Sequence, residues 1–237
     1  MNILAIGAHP DDLEFLCSGT LAKYAKAGHK IFMAHLCHGD LGGKDISKKK
    51  LMSVRKTEAV EAGRLIGAKV FSGIASDLDL YEDRESRKKV VEIIRQAKPD
   101  LIITHAPNDY MPDHVAVSKL VFDASFTSTL PNYPTKTKAH EPIVPVYYMD
   151  TMAGINANPC VYVDISETIE MKKKMLLCHE SQHKWLNGHH RTKAVELLET
   201  MAKFRGLQCG VEYAEAFGIL DVWGRRKPGE LVASKLQ

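Results

Sequence analysis

Short apolar runs alternate with longer amphipathic stretches through the first half of the chain, the pattern of strands interleaved with helices. Residues 2–7, centred on Ile3-Leu4-Ala5-Ile6, predict a buried strand, and residues 18–28 a helix stopped by Gly28. Lys30–Cys37 predicts a second strand. Residues 48–67 carry a broad apolar face of Leu51, Val54, Ala59, Ala62 and Leu65, and Gly67 ends it. Lys69–Ile74 predicts a third strand, residues 84–97 an amphipathic helix around Val90, Val91, Ile93 and Ile94, and Pro99–His105 a turn and a fourth strand. Asp113 can cap a helix running to about Ala124. The strands are continuously apolar rather than alternating, which fits a mainly parallel sheet covered on both faces. Right-handed crossovers would place helices on each side.

The second half is less regular. Pro131, Pro134, Pro142 and Pro145 punctuate a loop that leads into a strand at Val144–Met149. Cys160–Ile165 reads as another strand. Asp164 or Ser166 can cap the next helix, whose Met171, Met175 and Leu176 read as core packing. Residues 191–205 are helical, and the tail from about residue 227 reads as loose. There is no repeat, no low-complexity tract and no domain boundary, so residues 1–237 read as one α/β domain.

Composition narrows the class without naming it. Of the 237 residues 45% are apolar and 26% charged, which is ordinary for a globular protein. A net charge of +3 gives no ground for a nucleic-acid or membrane partner. No apolar run approaches the ~18 residues that span a bilayer, and the N-terminus enters a strand without the features of a signal peptide. The five cysteines are scattered, odd in number and without a CxxC pair. That suits reduced thiols in the cytoplasm and speaks against a cysteine zinc site.

Two polar clusters change the picture. Ala8-His9-Pro10-Asp11-Asp12-Leu13-Glu14 follows the first strand, and Thr104-His105-Ala106-Pro107-Asn108-Asp109-Tyr110-Met111-Pro112-Asp113-His114 follows the fourth. Charged groups are costly to gather at the end of a core strand unless they bind something. Both clusters fall on the carboxyl edge of the sheet, where open α/β folds keep their sites. The plainer reading of the first is a loop whose aspartates cap the next helix. Converging, His9, Asp12 and His114 would give two imidazoles and one carboxylate, a set that leaves positions open for water and substrate, as in catalytic zinc sites. Other divalent ions are also possible. Asp11 would sit beside the metal, where it could take a proton from water. His179 and His183 stand one helical turn apart, but Trp185, His189 and His190 nearby favour a loop or subunit contact over a second metal.

His9-Pro10-Asp11-Asp12 with Glu14, then Gly19-Thr20, then Pro112-Asp113-His114, resembles the PIG-L/LmbE-like deacetylases. Further matches are Gly39-Asp40-Leu41-Gly42-Gly43, Arg55-x-x-Glu58 and Ser181-Gln182. The resemblance runs from residue 2 to about residue 185. It implies a Rossmann-like three-layer α/β/α sandwich and a zinc-dependent enzyme that removes acetyl groups from N-acetylglucosamine-type sugars and their conjugates. It implies His9, Asp12 and His114 as ligands, Asp11 as general base and Arg55 as a substrate contact. Members often form homo-oligomers. The Pro-rich loop at 131–145 and the segment at 179–190, with Tyr133 and Trp185, are the expected contacts.

One position departs from the family. Many members have histidine where this chain has Met111, and that histidine is assigned to the oxyanion or the leaving amine. Methionine can serve neither. The metal alone could polarise the carbonyl, a neighbour such as Tyr110, His105 or His38 could take the role, or the chain could bind without turnover. Asp113 would then act as support for the metal site or as a helix cap. His38 and Asp40 lie in the glycine-rich loop after the second strand and are candidate substrate contacts. Asp77 and Asp79 read as a turn or a sugar-hydroxyl contact. Besides the deacetylase, two rivals stand: a carbohydrate- or metabolite-binding protein on the same fold, and a nucleotide-binding protein. The first turn lacks GxGxxG and carries carboxylates, which would repel a pyrophosphate.

Overall fold

The computed structural model describes residues 1–189, 193–223 and 225. In chain order the elements are β1 (Asn2–Gly7), α1 (Asp12–Leu16), α2 (Ser18–Lys26), β2 (Lys30–His35), α3 (Lys48–Arg64), β3 (Lys69–Phe71), α4 (Arg84–Ala97), β4 (Leu101–Thr104) and α5 (Pro112–Thr127). There follow β5 (Val146–Met149), a 3-10 turn (Met152–Gly154), β6 (Val161–Asp164), α6 (Ile169–Leu177), α7 (Glu180–His189), α8 (Ala194–Cys209) and β7 (Ala214–Ile219). The sheet order is β3-β2-β1-β4-β5-β7-β6. The joints from β3 to β5 are parallel, and β7 pairs antiparallel with both β5 and β6.

The period-two geometry of β1 splits the core into two layers. Leu4 and Ile6 pack with Val90, Val91 and Ile94 of α4 and Val117 and Val121 of α5. Ile3 and Ala5 face the other way, onto Leu13 and Leu16 of α1, Leu21 of α2, Ala62 of α3 and Met175 of α6. The result is the expected α/β/α sandwich with a mainly parallel sheet. Among the described residues no helix is long and apolar enough to cross a membrane.

Several local expectations are corrected. A short helix, α1, precedes the one expected from residue 18. Leu65 is 43% exposed and lies past the end of α3, outside its apolar face. Asp113 does not cap α5: Met111 stands at the N-cap and Asp113 lies inside the first turn. Neither Asp164 nor Ser166 caps α6, because Thr168 takes that position and the Asp164 carboxylate accepts from Ser166 N–H at 2.9 Å. The His/Trp segment is a helix, α7, rather than a loop. The tail from residue 227 and His190 lie outside the described residues.

The Pro-rich loop is tied down by α4. The buried Arg95 donates to the carbonyls of Ser128, Leu130, Tyr133 and Thr137 and to Thr135 Oγ1. Glu92 accepts from Thr137 N–H at 3.0 Å and Oγ1 at 2.7 Å.

Candidate metal centre

β1 and β4 are neighbours in register, Ile6 against Thr104. The loops that leave them therefore emerge side by side, and the two polar clusters meet. His9, Asp12 and His114 each place a ligand atom within 4.8 Å of the others. His9 Nδ1 lies 3.5 Å from Asp12 Oδ2, and His114 Nε2 lies 3.4 Å from Asp12 Oδ1. The far nitrogen of each ring meets a carboxylate: His9 Nε2–H donates to Asp113 Oδ2 at 3.0 Å and His114 Nδ1–H to Asp109 Oδ2 at 2.9 Å. This carboxylate–histidine pairing is how proteins orient metal-ligating imidazoles. The test of fit is His114 Nε2, which is buried without a hydrogen-bond partner.

Electrostatics point the same way. Burial pulls the His114 pKa down, but Asp12 and Asp109 outweigh it and bring it to about 9. For His9, burial is again opposed, by Asp113 and Asp12, and the value reaches about 10. Burial raises Asp12, yet the surrounding imidazoles hold it well below the ordinary carboxylate range. The pocket is built around positive charge, and a divalent cation would supply that charge in place of the protons.

Asp11 is placed by strain. Its φ of 116° is one an L-residue rarely adopts, at a cost of about 1–3 kcal/mol. Arg55 of α3 holds it there: Nη2 bonds Pro10 O and lies 3.1 Å from Asp11 Oδ1, while Nη1 donates to Gly39 O at 3.3 Å. Gly39 must be glycine, since a Cβ would come within 2.6 Å of the Arg55 guanidinium and its own φ is +69°. Burial pushes the Asp11 carboxyl up to about 6, with Arg55 opposing. Asp11 thus accepts a proton near neutrality, which fits a general base.

The remaining sequence candidates divide. Arg55 lines the cavity but is 3% exposed and committed to Asp11 and the loop backbone, so it positions rather than reaches out to substrate. Tyr110 is 51% exposed and does not line the cavity. His105 is fully buried, with Nε2 3.2 Å from Asp12 Oδ2 and its ring stacked on His114 at 3.7 Å. His38 lines a neighbouring cleft with Lys56 and Phe71. Asp40 accepts from Ser76 Oγ and Asp77 N–H, 2.9 and 3.1 Å away. Neither His38 nor Asp40 lines the metal cavity. Asp77 both receives the N–H groups of Gly39 and Leu41 and lines the cavity.

Asp109, Glu14, Gln182, Trp185 and Glu58 take structural roles that the sequence alone does not assign. Asp113 stands next to His114 in the chain, yet Asp109 is the residue that reaches its ring. Glu14 is fully buried, with His179 Nε2 at 3.4 Å and His35 Nε2 at 3.9 Å. His179 is thereby engaged with Glu14, and His183 Nε2 with Leu176 O, 3.1 Å away. Gln182 and Trp185 of α7 cover the cavity, with Gln182 Nε2 donating to Gly42 O at 3.1 Å. Glu58 of α3 anchors that helix by accepting from Ser181 N–H and Oγ at 2.8 and 2.6 Å.

Diacetylchitobiose deacetylase of Thermococcus kodakarensis is 27% identical over 236 residues, covering 90% of this chain and 81% of that protein. The solved N,N'-diacetylchitobiose deacetylase of Pyrococcus horikoshii, bound to an inhibitor, has a TM-score of 0.80 at 27% identity over 92% of this chain and 83% of that one. The chain is also similar to 4-oxalmesaconate hydratase of Pseudomonas putida, 24% identical over 198 residues, or 78% of this chain and 75% of that protein. The sequence profile of the GlcNAc-PI de-N-acetylases, PIG-L, matches residues 4–125 and so takes in both polar clusters. By that match the chain belongs to the PIG-L family.

Proposed function

We propose that the chain is a zinc-dependent N-deacetylase acting on an N-acetylated amino sugar or a conjugate of one. The observation that carries the reading is the convergence of His9, Asp12 and His114 beside Asp11, a buried carboxyl with a pKa of about 6. Relatives named as deacetylases support the acyl chemistry. A divalent cation held by His9, Asp12 and His114 would polarise the amide carbonyl and lower the pKa of water. Asp11 takes the proton of the attacking water. Arg55 holds Oδ1, which leaves Oδ2 to receive it. The same carboxyl returns the proton to nitrogen as the C–N bond breaks, and acetate and a free amine leave. Asp109 and Asp113 keep the two imidazoles turned inward. The five free cysteines fit a reducing, cytoplasmic setting. Exposed Phe122, Phe126 and Leu130 at the end of α5 fit a homo-oligomer.

Met111 favours a second reading, the addition of water to an unsaturated carboxylate, because such a reaction expels no amine: the hydroxyl adds to one alkene carbon and the proton that Asp11 takes from water is returned to the other. The hydratase relative belongs with it. Against it stands charge. Asp11, Asp12 and Asp77 line the cavity, and Arg55, the one Lys or Arg among its described lining residues, is spent on Asp11. Beyond the cation, the described lining offers a polyanionic substrate little to hold it. Metal-loaded protein, purified without a metal-affinity tag, should release acetate from N-acetylated sugars. Addition of water to an unsaturated dicarboxylate, with no acetate release from any N-acyl sugar, would overturn the deacetylase.

A further inference from the structure

The cavity over the metal centre, about 240 Å³, is two-faced. Its polar side is the catalytic set. Its other side is apolar and comes from four separate elements: Phe15 of α1, Met111 at the start of α5, Met152 of the 3-10 turn, and Trp185 and Leu186 of α7. All five are half-buried, so each keeps apolar surface facing the space where a substrate would sit. Phe15 and Met152 pack on the central core from behind and Leu186 on the core between α6 and α8, so the wall is backed rather than loose. An acetyl group and a sugar ring are small and largely polar. The acetyl methyl and one C–H face of a sugar ring can cover part of this wall, and the rest is free to hold further apolar surface of a substrate.

We propose that Met111 and Met152 are specificity-determining residues that select substrates carrying a short saturated carbon chain next to the scissile amide. This rests on the deacetylase reading and extends it. The chain could be the acyl group itself, longer than acetyl, or an apolar aglycone on the sugar. Both present the same chemistry to the same wall. Methionine suits the task, being unbranched and able to adapt to a flexible chain. Hydrolysis is otherwise unchanged: water adds, the C–N bond breaks, and a longer carboxylate or the glycoside amine leaves. Each methylene moved from water onto the wall should raise kcat/KM about fourfold.

The test compares N-acetylglucosamine, N-butyrylglucosamine and the butyl β-glycoside of N-acetylglucosamine on zinc-loaded protein. The butyryl and glycoside arms separate the two sources of the chain. The readout is the ratio of kcat/KM to that of N-acetylglucosamine, which does not depend on how much of a preparation is folded. We expect a ratio of about tenfold in at least one arm. In the double variant Met111→Ser/Met152→Ser that ratio should collapse towards one. Turnover with a ratio of one or less in both arms, or a ratio that survives the double variant, would overturn the assignment while leaving the deacetylase standing. Calorimetry on zinc-loaded Asp11→Asn gives an independent reading of binding. Tighter binding of the butyl compounds without turnover in the parent would support the wall and overturn the deacetylase. Absence of both preference and turnover would overturn both.

Discussion

Asp109 Oδ2 lies 2.9 Å from His114 Nδ1 and so turns the partnerless Nε2 of that ring towards Asp12. Asp109 also caps its own turn, accepting from Met111 N–H at 3.0 Å. One carboxylate thus fixes both the ring and the loop that carries it.

Asp109→Asn should keep the fold and loosen the ring. Metal affinity is expected to fall about 10–100-fold, the usual cost of losing such a partner. Competition against a chelating indicator measures it. Parental affinity would mean that packing against His105 alone aligns His114.

Asp11 and Asp12 are chain neighbours with opposite roles, and their amides should behave differently. Asp12→Asn should lose metal and activity together. Asp11→Asn should bind metal stoichiometrically and lose turnover by about 10²–10⁴-fold, the worth of a general base. Metal content by elemental analysis, read beside acetate release, separates the two. An Asp11→Asn rate near that of the parent would assign the proton to another group.

Glu92 offers a pH signature far from the metal. Burial raises its pKa, but hydrogen bonds from Gln96 and Thr137 prevail and bring it to about 2, below an ordinary value of 4.5. A depressed carboxyl stabilises the fold in full above the unfolded pKa and loses that contribution as pH falls through the folded one. Glu92→Gln should therefore lower Tm at neutral pH, by a few degrees at most because the group is near solvent. The gap to the parent should close between about pH 4.5 and 2. A gap that stays constant with pH would show that charge at Glu92 contributes nothing.

The centre was legible where chemistry interrupts an apolar strand. His9 and Asp12 after β1, and His114 after β4, stand out because nothing in a core needs them. His38 and Asp40 follow β2 on the same edge, but His38 lines the neighbouring cleft and Asp40 is taken up by Ser76 and Asp77, partners 36 and 37 residues away in the chain. α7 was not legible because its place depends on Glu58 and Ser181, 123 residues apart, and on Glu14 meeting His179. β7 was missed for a similar reason. A strand reading Ala214-Glu215-Ala216-Phe217 puts a carboxylate in a buried position, and only distant partners make that tolerable.

Those partners give the last prediction. Glu215 accepts from Gly19 N–H at 2.9 Å and Thr20 N–H at 2.7 Å, and it pairs with the ammonium of Lys172, which also donates to Phe15 O at 2.7 Å. Lys172 is 2% exposed and Glu215 4%. This explains the Gly19-Thr20 pair: its N–H groups bind the antiparallel strand, and through it the floor beneath α1 and the metal loop. Glu215→Gln leaves a buried ammonium without its counter-charge and should cost about 3–5 kcal/mol, a fall in Tm of roughly 10 °C for a chain of this size. Lys172→Met removes the cation but leaves two N–H donors on Glu215, so it should cost less. The double variant should be more stable than the sum of the two losses allows, because neither charge is then left alone. Thermal unfolding of the four proteins closes the cycle. Additive losses would mean that the pair does not act as a unit and that the N–H groups of Gly19 and Thr20, without Lys172, suffice to hold the Glu215 carboxylate.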